Sequence, residues 1–334
     1  MRSRNWALAA AAALTLLTGP AGAEPVKIRL SWVAPIANIG SIIMEKKDLA
    51  LHMGKSYTLE PIRYQGTPPM ITALANNELE IADLAYSTLP IAIQNAGLDD
   101  LRVISDEFQD GVDGYYSNEF FVLKDGPIQR VEDLKGKVVA TNAVGSAVDI
   151  ASRAMLRKHG LEDKRDYTVI ESAFPTMRAL LQEKKVDLIP AVPPFSFMPE
   201  LKQISRKLFD TKDAMGRTQF VMFVVRKPFI DKNRAALVDM MEDTLRITRW
   251  FTDPANHQGA MEIAGRVLKV PPERFNWIFS KGTDYFRDPN LIPNLDALQR
   301  NVDLTQELGF AKGKTDVKKY SDLTIVQEAA ARIK

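Results

Sequence analysis

Gly145-Ser146-Ala147 stands where an apolar run, Lys137 to Thr141, gives way to a helical pattern from Ser146 to His159. A glycine and a serine at such a junction leave backbone N–H groups facing outward at the positive end of a helix dipole, where an oxyanion can sit. Ser146 and Asp149 have capping-box spacing, with aspartate in place of the usual glutamate, so plain helix capping competes with a binding role. Tyr86, Ser87 and Thr88 form a similar loop after the run Glu80 to Ala85, setting an aromatic wall beside hydroxyls that can donate to a carboxylate or sulfonate. Capping competes here too. Trp32 ends an apolar run that starts at Val26, and Asn38 follows shortly after it; the indole either stacks on a solute or fills the core. Phe174 and the Pro194-Phe195 pair both follow strand-like runs, where apolar rings line a pocket or pack a loop, and Tyr116 lies in an extended segment that would reach a cleft floor. Arg63 and Arg178 lie only near these loops, so helix dipoles are expected to meet the charge of an anionic ligand. The many rings favour an organic anion, a sulfonate or an aromatic carboxylate, over bare nitrate.

The elements that must position these loops alternate. Val26 to Trp32 reads as a strand and is followed by a helix through Ile36, Ile39 and Ile43; Tyr57 to Tyr64 is the next strand, with Thr67-Pro68 opening another helix. Glu80 to Ala85 is a short apolar strand interrupted by Asp83. Three βα units in succession imply a mainly parallel sheet. The turn-rich stretch Asp110-Gly111-Val112-Asp113-Gly114 and the extended segment Tyr115 to Leu123 mark a crossing to a second α/β run, with strands at Lys137 to Thr141, Tyr167 to Glu171 and Val186 to Ala191 and a helix from Met177 to Glu183. Gln219 to Val225 is extended again and is taken as the return crossing, before helices at Arg234 to Phe251 and Gly259 to Leu268. The expected division is a discontinuous first lobe, 24–115 plus 226–334, with a second lobe, 116–225, inserted in it. Parallel sheets bind ligands at the carboxyl ends of their strands, so two lobes can close on one solute.

Arg2 and Arg4 precede an apolar run from Trp6 to Leu17, and Ala21-Gly22-Ala23 supplies small residues for a peptidase, so 1–23 reads as a cleavable secretory leader. The roughly 310 residues after it exceed what one core usually serves. With 44 basic and 42 acidic side chains there is no strong field to attract nucleic acid. The chain has no cysteine, so a disulfide framework and a lipid-anchored cysteine are both excluded. His52, His159 and His257 are scattered, and no HExxH, Gly-x-Ser-x-Gly or P-loop motif occurs; no catalysis, metal or cofactor is expected.

Three stretches carry a family likeness: Asn77-Glu78-Leu79-Glu80-Ile81-Ala82-Asp83, the segment Pro127 to Ala140 (PIQRVEDLKGKVVA), and Glu183-Lys184-Lys185-Val186-Asp187. The second is the most specific. The chain resembles the periplasmic solute-binding proteins of ABC importers in the group that takes nitrate, taurine, alkanesulfonates and pyrimidine precursors, a group that also includes a fungal pyrimidine-precursor synthase. The resemblance implies a two-lobed, type II-like α/β fold with helices on both faces of its sheets and a ligand cleft between the lobes. It implies a monomer that captures a small organic solute by hinge closure and delivers it to an ABC permease and its ATPase subunits. The synthase branch uses a cysteine-rich motif that this chain lacks; a related enzyme or a ligand-sensing regulator on the same fold is the alternative.

Overall fold

A computed structural model describes residues 24–333. The expected leader, 1–23, lies outside them. Ten strands are formed: β1 Val26–Trp32, β2 Tyr57–Arg63, β3 Ile81–Ala85, β4 Leu101–Asp110, β5 Glu119–Leu123, β6 Lys137–Thr141, β7 Tyr167–Glu171, β8 Ile189–Ala191, β9 Ser205–Asp210 and β10 Thr218–Arg226. The α-helices are α1 Pro69–Ala75, α2 Thr88–Gln94, α3 Ala147–Lys158, α4 Phe174–Gln182, α5 Pro199–Ile204, α6 Thr211–Met215, α7 Lys227–Thr252, α8 His257–Leu268, α9 Leu295–Glu307 and α10 Thr324–Arg332. Among the described residues no helix is long and apolar enough to cross a membrane.

The strands build two sheets of matching plan. The first has the order β2-β1-β3-β10-β4, in which β1 runs parallel to β2 and β3 while β10 runs antiparallel to β3 and β4. In the second, β5 lies antiparallel between β8 and β9, β6 and β7 are parallel, and a parallel bridge from Val139 to Leu188 joins the two parts. Each sheet with its helices is a lobe. This is the mainly parallel α/β architecture expected, with one reversed strand in each sheet marking where the chain leaves or returns.

Three expectations need correction. Gln219 to Val225 is not a crossing: it lies inside β10, paired with β3 and β4, so the return crossing precedes Thr218 and the strand belongs to the first sheet. The helix expected through Ile36, Ile39 and Ile43 is broken into two short 3-10 turns, Ile39–Ser41 and Ile43–Lys46. Pro35 and a positive φ of 69° at Ile36 prevent a continuous helix, and the Asn38 side chain takes the amides of Val33 and Ala34 instead. Finally β4, ten residues long with three acids in its sequence LRVISDEFQD, forms where the sequence reading placed no element.

The two crossings run side by side. Thr211 N–H donates to the Asn118 carbonyl at 2.8 Å, and the Ser117 hydroxyl donates to Asp110 at 2.5 Å while accepting from Lys212 N–H at 2.9 Å. Gly111 has a φ of +71°, and a Cβ there would stand 2.7 Å from the Gly216 carbonyl oxygen. Left-handed backbone and backbone collision act together, so Gly111→Ala is expected to cost at least about 2 kcal/mol, read as a shifted denaturation midpoint. An unchanged midpoint would show that the crossings slide apart freely.

Candidate functional site

A cavity of about 50 Å³ lies between the lobes, well above what a single water needs. The first lobe contributes Asn38, Thr67 and Asp83, with Phe108, Phe220 and Tyr285 as an aromatic wall; the second contributes Asn142, Ser146, Ala147, Val148, Phe174 and Val192. The lobes are closed upon each other. Tyr86 donates its hydroxyl to the Ala147 carbonyl at 2.8 Å, Ser87 donates to the Gly145 carbonyl at 2.8 Å, and Gln65 and Asn142 exchange side-chain-to-backbone bonds at 3.0 and 3.1 Å.

On the second lobe β6, paired in parallel with β7, delivers the chain to the amino end of α3. Ser146 is its N-cap: the hydroxyl accepts from Asp149 N–H at 3.4 Å and donates to Asn142 Oδ1 at 2.7 Å. Gly145 takes a φ of +82°, and its N–H is bound by Asp149 at 2.8 Å, so it shapes the turn without lining the cavity. Ala147 and Val148, the first two helical residues, do line it, and helix geometry leaves their N–H groups without intrahelical acceptors.

On the first lobe the wall is a stack of rings. Phe108 lies on Tyr285 with centroids 4.3 Å apart, Phe220 stands 5.7 Å from Phe108, and Tyr86 meets Phe220 edge-on. Beneath the stack is a buried acid pair. Asn38 donates to both Asp83 Oδ2, at 2.6 Å, and Glu107 Oε2, at 2.5 Å. Burial, reinforced by the Glu107 carboxylate, pushes the Asp83 carboxyl well above the usual range, and burial raises Glu107 as well. The cavity lining contains no lysine or arginine. Arg287, buried behind the wall, is held by Asp284 at 3.2 Å and by the Ala37 carbonyl at 2.8 Å.

Of the residues singled out from sequence, Asn38, Ser146, Ala147 and Phe174 lie on this cavity. The others do not. Trp32 carries the Arg63 guanidinium over its ring at 5.4 Å. Tyr86 and Ser87 are spent on contacts between the lobes, Thr88 bonds Thr67, and Tyr116 packs against Phe197 and Tyr285. Pro194 and Phe195 line a different, apolar groove with Trp277 and Phe275. Even Asn38 has all its bonds within the protein, accepting from Val33 and Ala34 and donating to the two acids. Asp83, Phe108, Phe220 and Tyr285 were missed; an acid amid the apolar residues of 81–85 was the one signal that pointed to any of them.

A cavity walled by both of two α/β lobes defines the class of fold used by periplasmic ligand-binding components, and solved structures bear this out. The alkanesulfonate-binding protein SsuA from Xanthomonas axonopodis pv. citri, bound to MOPS, superposes with a TM-score of 0.71 at 17% identity, covering 90% of this chain and 99% of that one. The nitrate-binding protein NrtA from Synechocystis PCC 6803 gives 0.70 at 16% identity, over 93% of this chain and 90% of that one. The desulfurization enzyme DSZB shares the fold as well, at 0.66 and 14% identity, over 92% of this chain and all of that one (100%). No curated protein matches the sequence. The chain belongs to the NMT1-like family, whose model matches residues 21–265.

Proposed function

We propose that this protein is the periplasmic solute-binding subunit of an ABC importer, exported by a cleaved leader, and that it captures a small organic solute between its lobes for delivery to a permease. The observation that carries the reading is the cavity itself, lined from both lobes and flanked by hydrogen bonds that run from one lobe to the other. The proposed lobes are 24–110 with 218–333, and 119–210, with the hinge in the paired crossings between them. Ser146, Ala147 and Val148 present the α3 amino end to an acceptor group of the solute, while Phe174 and the Phe108, Phe220 and Tyr285 rings enclose its body.

In this mechanism the open protein binds solute on one lobe and the other lobe swings over it. Contacts between lobes then set the closed population that a permease reads. Tyr86→Phe removes one such contact without touching the cavity, so solute affinity is expected to fall by about fivefold with the fold intact. Calorimetry on the mature chain against taurine, alkanesulfonates, aromatic carboxylates, nitrate and pyrimidine precursors tests the whole reading. A solute bound and recovered unchanged supports a receptor; a solute converted on incubation would mean an enzyme on this fold.

A further inference from the structure

We infer that the solute enters the cavity uncharged and is held through a neutral oxygen acceptor, such as a carbonyl or sulfonyl group, rather than through an anionic or cationic one. The inference rests on the receptor reading above and names the class of solute within it.

A buried anion needs a cation, or a full set of donors, to replace the water it gives up. Among the described residues no lysine or arginine lines the cavity. Two arginines are buried in the lobes, and both are committed elsewhere. Arg287 is held by Asp284 at 3.2 Å and by the Ala37 carbonyl at 2.8 Å. Arg153 pairs with Asp149 at 2.9 Å and with Asp163 at 2.6 Å. The amino end of α3 does not make up the difference, because its positive pole already carries a carboxylate: Asp149 Oδ2 accepts from Gly145 N–H at 2.8 Å, one residue ahead of the N-cap. That leaves the amides of Ala147 and Val148 on the lining. Two amides can meet one oxygen with its two lone pairs, but not the charge and the remaining oxygens of a carboxylate or sulfonate. The other polar groups there are neutral and already bonded, Thr67 to Thr88, and Asn142 to the Gln65 carbonyl and to Ser146.

A cation finds no partner either. Asp83, the one carboxyl on the lining, is bonded to Asn38 and to Glu107 and keeps its proton through burial, so it presents a neutral group. The charge of that acid pair rests on Glu107, which accepts from Ile39 N–H at 2.6 Å off the lining and adds to the case against an anion. The rings of Phe108, Phe220 and Tyr285 attract a cation too weakly to offset the water it would lose, whereas they enclose an uncharged body at no such cost.

Calorimetry at neutral pH on the mature protein compares benzamide with benzoate and methanesulfonamide with methanesulfonate, pairs that match in size and differ in charge. In the pair that fits, the neutral member is expected to bind at least about tenfold tighter, with an affinity that salt does not change. Benzoate or methanesulfonate bound as tightly as its neutral partner, or more tightly, overturns the inference and leaves the receptor standing. If all four fail, the solute panel named above decides. A solute that is ionic at neutral pH and binds more tightly than any neutral one overturns the inference in the same way, whereas an uncharged pyrimidine precursor bound ahead of the ions supports it. Silence across the probes and the panel alike overturns the receptor reading, and this inference with it.

Discussion

Phe220→Ala is expected to destabilise the protein by about 3–5 kcal/mol and to abolish tight solute binding in the same stroke. Phe220 is the middle of the aromatic wall, in contact with Phe108, Tyr285 and Tyr86, and it comes from β10, the reversed strand between β3 and β4. The three partners come from β4, from the loop after β3 and from the segment ahead of α9, so one ring ties four stretches of chain together. Truncation to alanine empties a ring-sized volume that a five-stranded sheet cannot close, because the flanking strands are fixed by their ladders. The Tm should drop on the order of 10 °C. Phe220→Leu keeps most of the apolar volume and should recover much of the stability while losing the ring face toward the solute. Denaturant melts and calorimetry on both variants check this. A loss below about 1 kcal/mol in the alanine variant would mean that the stack is loosely packed and that the wall is set by other residues.

The parts of the fold that were legible are those where polarity and position agree. KVVAT at 137–141 and YTVIE at 167–171 are short β-rich runs bounded by turn residues, and β6 and β7 occupy those same residues. Ser146 followed by an apolar-faced helix was equally clear, and α3 starts one residue later. The cavity lining was legible mainly on that lobe; on the first, Asn38 alone of the residues singled out lies on it. On the first lobe, hydroxyl and ring residues after β3 were read as ligand contacts, but tyrosine and serine at a closing interface look the same in sequence as tyrosine and serine in a pocket. Their partners, the Ala147 and Gly145 carbonyls, are backbone groups about sixty residues away. The acids were hidden for a related reason. Three acids in LRVISDEFQD argue against a buried strand, yet Asp106, Glu107 and Asp110 are all buried in β4, each held by donors from other elements or from beyond the strand's end. The same feature thus concealed both a strand and half of the site's electrostatics.

Those acids also set how stability depends on pH. Burial raises Asp106 and Asp110 from 3.8 to about 7 in the folded protein, against which the hydrogen bonds from Gln219 and from Ser117 work only in part. A carboxyl raised on folding binds more protons in the native than in the unfolded state throughout the window between its two values, so stability falls as pH climbs from about 4 and levels off above about 7. For one fully buried group moved this far the change is about 4 kcal/mol. Asp83 and Glu107 are raised too and act in the same direction. The acids Asp113, exposed, Asp133, half-buried, and Asp166, buried, are held below their ordinary value by Lys212, by backbone amides and by Arg165 in turn, so their contribution is lost only in stronger acid and does not mask the trend. Denaturation midpoints should therefore be higher near pH 5 than near pH 8, the reverse of a protein held together by ionised carboxylates. Asp110→Asn should make the profile shallower, with Asp106, Asp83 and Glu107 carrying the rest, because the amide keeps an acceptor for Ser117 or Asn118 but no longer titrates. A profile that is flat or rises across that range would mean that these carboxyls ionise freely, with water reaching the crossing where Asp110 sits. Since Ser117 and Lys212 are bonded in series behind Asp110, its protonation also governs how firmly the two crossings are held together, and the same titration should then appear in the rate of lobe opening.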